Sequence, residues 1–133
     1  MYLIDTNICI YSIKGQNASL NQHLLTISPD DIFVSSVAVG ELFYGAAKSR
    51  WGNRTRETLN AFLANFHILP FDEKDAILFG KIRADLESAG TPIGAYDLMI
   101  AAQGISRGLT VVTHNVREFS RVPGISLEDW MVG

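Results

Sequence analysis

The sequence predicts an α/β fold in three layers, a central parallel sheet of four to five strands flanked by helices, and three observations lead there. Short strand-like runs at residues 2–4, 32–34, 66–69, 109–113 and 125–127 alternate with segments of helical spacing. The run "LTVVT" is apolar almost throughout, which is how a strand covered on both faces reads. No internal repeat, low-complexity tract or Pro/Gly/Ser-rich linker divides the 133 residues, so a single domain over 1–133 is expected.

Each element has a local reason. "YLIDTN" begins apolar and stops at Asp5, where the backbone must turn, and Thr6 and Asn7 follow as residues able to cap a helix or orient the carboxylate. In "ICIYSI", Cys9 falls on an apolar helical stripe with no His or basic neighbour to activate it, so it is read as core. "SSVAVGELFYGAAKS" reads as a helix capped by Ser36, with Val37, Glu41 and Tyr44 on one stripe and Ala38, Leu42 and Gly45 on the next. Phe43, Tyr44, Phe62 and Phe66 recur at helical spacing and are expected in the core or at an interface. "DEKDAILFGKIRADLESAG" carries Asp72 as N-cap, Asp75 as partner in a capping-box variant and Gly90 as C-terminal stop. "GTPIGAY" marks an irregular approach to a helix that bears Asp97 near its start and leads into "LTVVT", which Asn115 closes.

Composition narrows the function classes. The net charge of −3 offers no general attraction to nucleic acid, so such binding needs a local basic surface or metal ions. A single cysteine cannot form an internal disulfide, and no signal-peptide pattern opens the chain; a cytoplasmic location is expected. No apolar run approaches the ~20 residues that span a bilayer, so no membrane partner is expected.

Asp5, Glu41, Asp97 and Asn115 arrive from four segments at what can be a single sheet edge, the carboxyl end, where ligands bind in open parallel sheets. Taken singly, each acid has an ordinary explanation as a cap, a solvated helix residue or a dipole partner. Taken together they present a different problem, because two unit charges about 4 Å apart repel by roughly 4 kcal/mol at an effective dielectric near 20. A cation must offset this. Oxygen ligands without a His or Cys cluster favour Mg²⁺ or Mn²⁺ over Zn²⁺, and such an ion suits phosphodiester hydrolysis.

The motifs "LIDTNICI", "VSSVAVGELFYGAAKS" and "IGAYDLMIAAQGISRGLTVVTHNVREFSRVPGISLEDW", in this order, resemble PIN-domain ribonucleases of the VapC toxin type over essentially the whole chain. The resemblance implies a PIN-like parallel-sheet fold and a Mg²⁺- or Mn²⁺-dependent endoribonuclease toxin acting on structured RNA, with tRNA cut in its anticodon region as the substrate class. It also implies a homodimer neutralised by a cognate VapB-type antitoxin. Asp5, Glu41 and Asp97 match the family's three metal-site acids, and Thr113 matches a polar position beside them. Asn115 departs from a fourth acid that many PIN domains carry, which leaves a second metal site open.

"KSRWGNRTR" sets Lys48, Arg50, Arg54 and Arg56 around Trp51, a local basic surface for RNA phosphates, an antitoxin or a second subunit, or else a solvated helix connection. Two other functions are weighed. A catalytically weak PIN-fold binding module, acting through antitoxin or RNA, is consistent with Asn115 but not with retention of all three acids. A phosphoacceptor would favour a second acid beside Asp5, where Thr6 and Asn7 stand.

Overall fold

The computed structural model describes residues 1–133. The order is β1 (Tyr2–Ile4), α1 (Thr6–Lys14), α2 (Ala18–Thr26), a 3₁₀ turn (Pro29–Asp31), β2 (Ile32–Ser35), α3 (Ser36–Lys48), α4 (Gly52–Leu63) and β3 (His67–Leu69). Then come α5 (Glu73–Ser88), α6 (Ala95–Arg107), β4 (Thr110–Val112), α7 (Val116–Phe119) and β5 (Leu127–Glu128). The five strands form one parallel sheet in the order β3-β2-β1-β4-β5. Its direction of winding reverses at β1: β2 and β3 extend to one side, β4 and β5 to the other. That reversal opens a crevice above the carboxyl ends of β1 and β4, the position at which such sheets bind ligands.

The central strands are buried because the helices cover both faces. Leu3, Ile4, Val34, Val111 and Val112 have no exposed surface and form one cluster with Leu20, Leu42, Leu98, Ile100, Phe119 and Trp130. Cys9 lies within that cluster, and burial pushes its thiol far up, so it is an unreactive core residue as expected. No helix is long and apolar enough to cross a membrane.

Three local expectations are corrected. Ser35, not Ser36, caps α3, because β2 runs one residue further than its apolar run and leaves Ser35 extended with its Oγ accepting from the Val37 N–H. The Ser36 Oγ accepts instead from the Phe71 N–H at 3.0 Å and ties α3 to the loop after β3. The last strand is Leu127–Glu128 rather than 125–127, and β4 is two residues shorter than "LTVVT". Helix α5 is as read: Asp72 and Asp75 close a reciprocal capping box, and Gly90 follows its end with φ of 72°.

Helix α6 approaches β4 closely at Gly104, where a Cβ would run into Val111 Cγ2 and reach 3.6 Å from the Leu109 carbonyl. The glycine therefore sets how deeply α6 seats on the sheet, and with it the height of the residues α6 carries over the crevice. Gly104→Ala is expected to destabilise the fold by about 2 kcal/mol through overpacking, read as a lower urea midpoint. An unchanged midpoint would mean that α6 can lift off β4 freely.

Candidate active site

Asp5, a candidate site residue, is a structural cap. Its extended backbone and carboxylate cap α1, with the Ile8 N–H donating to Oδ1 at 2.9 Å. Its own N–H donates to the Val112 carbonyl at 3.0 Å, which locks it to β4 across the winding reversal. Asn7, considered for capping, is exposed in the first turn of α1 and does not cap it: the cap must sit one residue before the helix, and Asp5 occupies that place. Thr6 is engaged as a supporting residue, its Oγ1 donating to Glu41 Oε1 at 2.6 Å and fixing that carboxylate over the β1 end.

Glu41 reaches the crevice from the second turn of α3, whose 38/42/46 stripe is buried in the core. Asp97 stands in the first turn of α6, whose N-terminus has no side-chain cap, so the helix dipole there favours its negative charge. Thr113 is fully buried at the end of β4, and its Oγ1 accepts from the Asn115 N–H at 3.0 Å.

The acids act on one another electrostatically. Burial raises the Asp97 carboxyl, and Asp5, Glu41 and Glu118 add to the rise, bringing it to about 6. Asp5 is also raised, first by burial; the Thr113 hydroxyl and the Ile8 N–H work against that, and Glu41 and Asp129 reinforce it. Every charge acting on Asp97 is negative. As arranged, no group of three or more His, Cys, Asp or Glu side chains stands close enough to clasp an ion, and the acids act on one another at a distance. The donor set fits a hard divalent cation, being all oxygen, uncompensated by any Lys or Arg and partly desolvated.

Glu118 is the residue that sequence reasoning missed. Asn115 does not close β4, which ends at Val112; it opens the four-residue helix α7, and its amide donates to Glu118 Oε2 at 2.8 Å instead of capping the helix. A further acidic charge acting on Asp97 thus comes from three residues beyond Asn115. The signal was present in "NVREF" as an Asn with Glu three residues on, but α7 is too short to show a periodicity that would orient it. Asp129 is a second such acid, held by His114 Nδ1 at 2.9 Å and by the Met131 N–H. The basic segment does not join the crevice: Trp51 stands 57% exposed in the turn between α3 and α4, with Arg50, Arg54 and Arg56 around it.

Residues 2–125 match the PIN domain. The chain belongs to the PIN-domain family. Its relatives place it with the VapC ribonucleases. It is 42% identical over 129 residues to the tRNA(fMet)-specific endonuclease VapC of Salmonella typhimurium, covering 97% of both chains. It is 37% identical over 131 residues to ribonuclease VapC2 of Rickettsia felis, covering 98% of both. Among solved structures, DNA-bound VapBC from Salmonella typhimurium superposes with a TM-score of 0.91 at 42% identity, over 97% of each chain. VapBC2 from Rickettsia felis bound to a promoter DNA fragment gives 0.90 at 36% identity, over 97% of this chain and 98% of that one. The chain is therefore a PIN-domain nuclease of the VapC type, and its parallel α/β sheet is the fold its sequence led one to expect.

Proposed function

We propose that this PIN-domain protein is a divalent-metal-dependent endoribonuclease toxin of the cytoplasm, in which Asp5, Glu41 and Asp97 hold Mg²⁺ or Mn²⁺ and Glu118, oriented by Asn115, completes the acidic ring. The carrying observation is the Asp97 carboxyl, raised to about 6 by burial and by surrounding acids alone. An arrangement that costs the fold stability needs a compensating function, and a cation supplies it. When bound, the ion lowers the pKa of a coordinated water and polarises a phosphoryl oxygen. The protein's own residues do the rest: Thr6 holds the Glu41 carboxylate, the Thr113 hydroxyl restrains Asp5, and Asn115 aims Glu118.

Folded RNA, with tRNA as substrate class, is supported by the name of the Salmonella relative. A VapB-type antitoxin partner is supported by the VapBC complexes that superpose on this chain. Charge complementarity suggests how such a partner acts, since a Lys or Arg set among the acids would replace the metal's charge. A homodimer is part of the same reading, resting on resemblance.

The test is incubation of antitoxin-free protein with total bacterial RNA, with mapping of the cut ends. Cleavage is expected with Mg²⁺ or Mn²⁺, lost in EDTA and restored by either ion. Undiminished cutting in EDTA would defeat the metal assignment. Asn115→Ala, which frees Glu118 without removing an acid, is expected to lower cleavage about tenfold by releasing an outer-sphere orientation. If it is as damaging as loss of Asp97 in a folded protein, Asn115 itself contacts the metal or the attacking water.

A further inference from the structure

A cleft of about 730 Å³ opens beside Glu41, with Val37, Gly40 and Tyr44 of α3 on one side and Tyr96 and Met99 of α6 on the other. Tyr44 and Tyr96 are 65% and 60% exposed, and neither is needed by the core. Gly40 stands mid-helix, where glycine is unfavourable, yet a Cβ there would meet no protein atom within 4 Å. Internal packing therefore does not explain why this wall of the cleft is left bare.

The cleft and the basic turn are separate but lie along the same helix, α3, and its C-terminal turn. Glu41, Tyr44 and Lys48 lie on one stripe of α3 at spacings of three and four, so the stripe runs roughly 10 Å from acid to base. The Lys48 ammonium sits 5.0 Å from the Tyr44 ring centroid, and the Arg50 and Arg54 guanidinium groups sit 5.0 and 5.6 Å from that of Trp51. Four of the chain's 11 lysines and arginines fall between residues 48 and 56. The ion pairs of the chain use Lys81, Arg83, Arg107 and two histidines, so none of these four is neutralised by a carboxylate. Exposed aromatic faces interleaved with free cations, leading away from a phosphodiester-cleaving centre, are the chemistry that binds single-stranded nucleic acid.

We propose that the cleft between Tyr44 and Tyr96 receives an unpaired nucleobase next to the phosphodiester held at the acids, and that the strand continues along α3 to Lys48 and Arg50. The substrate must then be single-stranded on that side of the cut. A loop of a folded RNA meets this requirement and a continuous duplex does not, because a paired base cannot enter between the two rings. An apolar protein partner on the same face would leave the cations of the basic turn without counter-charges, whereas an RNA strand supplies flat bases and phosphates together. The inference deepens the nuclease reading and depends on it only for where the strand begins.

Binding can be measured without cleavage, by fluorescence anisotropy of a labelled 12-nucleotide oligouridylate in EDTA at low salt. The expected result is binding of the single strand at least tenfold tighter than of a GC-rich RNA duplex of the same length, whose pairing holds at low salt. Tyr44→Ala and Tyr96→Ala should each weaken single-strand binding about five- to tenfold, and Tyr44→Phe and Tyr96→Phe should restore it. Gly40→Leu should fill the cleft and weaken binding while leaving the melting temperature equal or higher, which a merely structural role would not produce. Equal affinity for the duplex, or Ala variants that bind like the parent, would overturn the proposal. So would a shift of Tyr44→Ala to a smaller species in sedimentation with RNA affinity unchanged, which would make this face a contact between copies. A strand that binds here and is never cut with Mg²⁺ or Mn²⁺ would count against the nuclease reading and not against the cleft.

Discussion

Asp97→Asn will reduce RNA cleavage by about a thousandfold or more and, in EDTA, will make the protein more stable than the parent. The loss of activity follows from removing one acid of the cation site, since a metal's charge stabilisation is worth several kcal/mol in the transition state and each ~1.4 kcal/mol is tenfold in rate. The gain in stability follows from the carboxyl being raised to about 6 from its ordinary 3.8, by burial first and by Asp5, Glu41 and Glu118 after it. An acid raised in the folded state binds its proton more tightly folded than unfolded. Its ionisation therefore opposes folding: the penalty is absent below about 3.8, grows through about 6 and is complete at neutral pH. With part of the carboxylate in contact with solvent, about 1 to 2 kcal/mol is a discounted figure, seen as a rise of several degrees in melting temperature.

The same sign predicts that the parent in EDTA gains stability as pH falls from 7 toward 5, and that Asp97→Asn largely removes this slope. Added Mn²⁺ should stabilise the parent and leave the variant little changed. Calorimetry across pH with and without the ion reads all three outcomes. A variant less stable than the parent in EDTA would show that Asp97 supports the fold, and the repulsion argument would fail.

What the residues disclosed and what they concealed divide along physical lines. Asp5 was legible because an apolar run ending in an acid at a turn is a local feature; the structure shows it as the cap of α1, a place that does not compete with the proposed site role. Glu41 was legible as a candidate because it sits early in the helix that follows β2, and Asp97 because it sits at the head of the helix that leads into β4. Glu118 was concealed because its placement depends on a four-residue helix and on a side-chain bond from Asn115, neither of which leaves a periodic trace. The end of β2 was misjudged by one residue because Ser35 pairs in the sheet while capping the next helix, and a polar residue doing both looks like a loop. The fold class was open to reading from strand and helix alternation. The strand order 3-2-1-4-5 was not, since a β–α–β alternation by itself does not say on which side of β1 the fourth strand lies.

The contact between α5 and α6 holds a second polar cluster, remote from the crevice, and Asp75→Ala is expected to cost about 1 kcal/mol there without abolishing cleavage. Asp75 has no exposed surface. It accepts from Arg107 Nε and Nη2 at 3.2 Å each and from the Asp72 N–H at 2.9 Å, while Gln103 Nε2 donates to the Leu69 and Pro70 carbonyls beside it at 3.1 Å. Burial alone would raise its carboxyl, but the hydrogen bonds from Arg107, the Asp72 backbone and Ser106 outweigh it and hold the carboxyl below the usual range. Truncation removes half of the α5 capping box, a lost cap of about 1 kcal/mol, while Arg107 keeps its pairing with Asp72 Oδ2 at 2.9 Å and its contact with water. Because the carboxyl is lowered on folding, its contribution is present above a pH of about 3.8 and is lost as pH falls below that through the folded value. Acid unfolding of the parent should therefore be steeper below pH 4 than that of the Ala variant, the opposite slope to the one Asp97 imposes between 5 and 7. Gln103 and Arg107 lie two and three turns along α6 from Asp97, so the cluster sets the seating of the helix rather than the chemistry at its head. Urea melts and cleavage rates on the same preparations separate the two. A variant with parental stability would mean that the Arg107 cluster contributes no net stability to the α5 and α6 contact, and one that is stable but inactive would mean that the cluster reaches the crevice by a route other than the seating of α6.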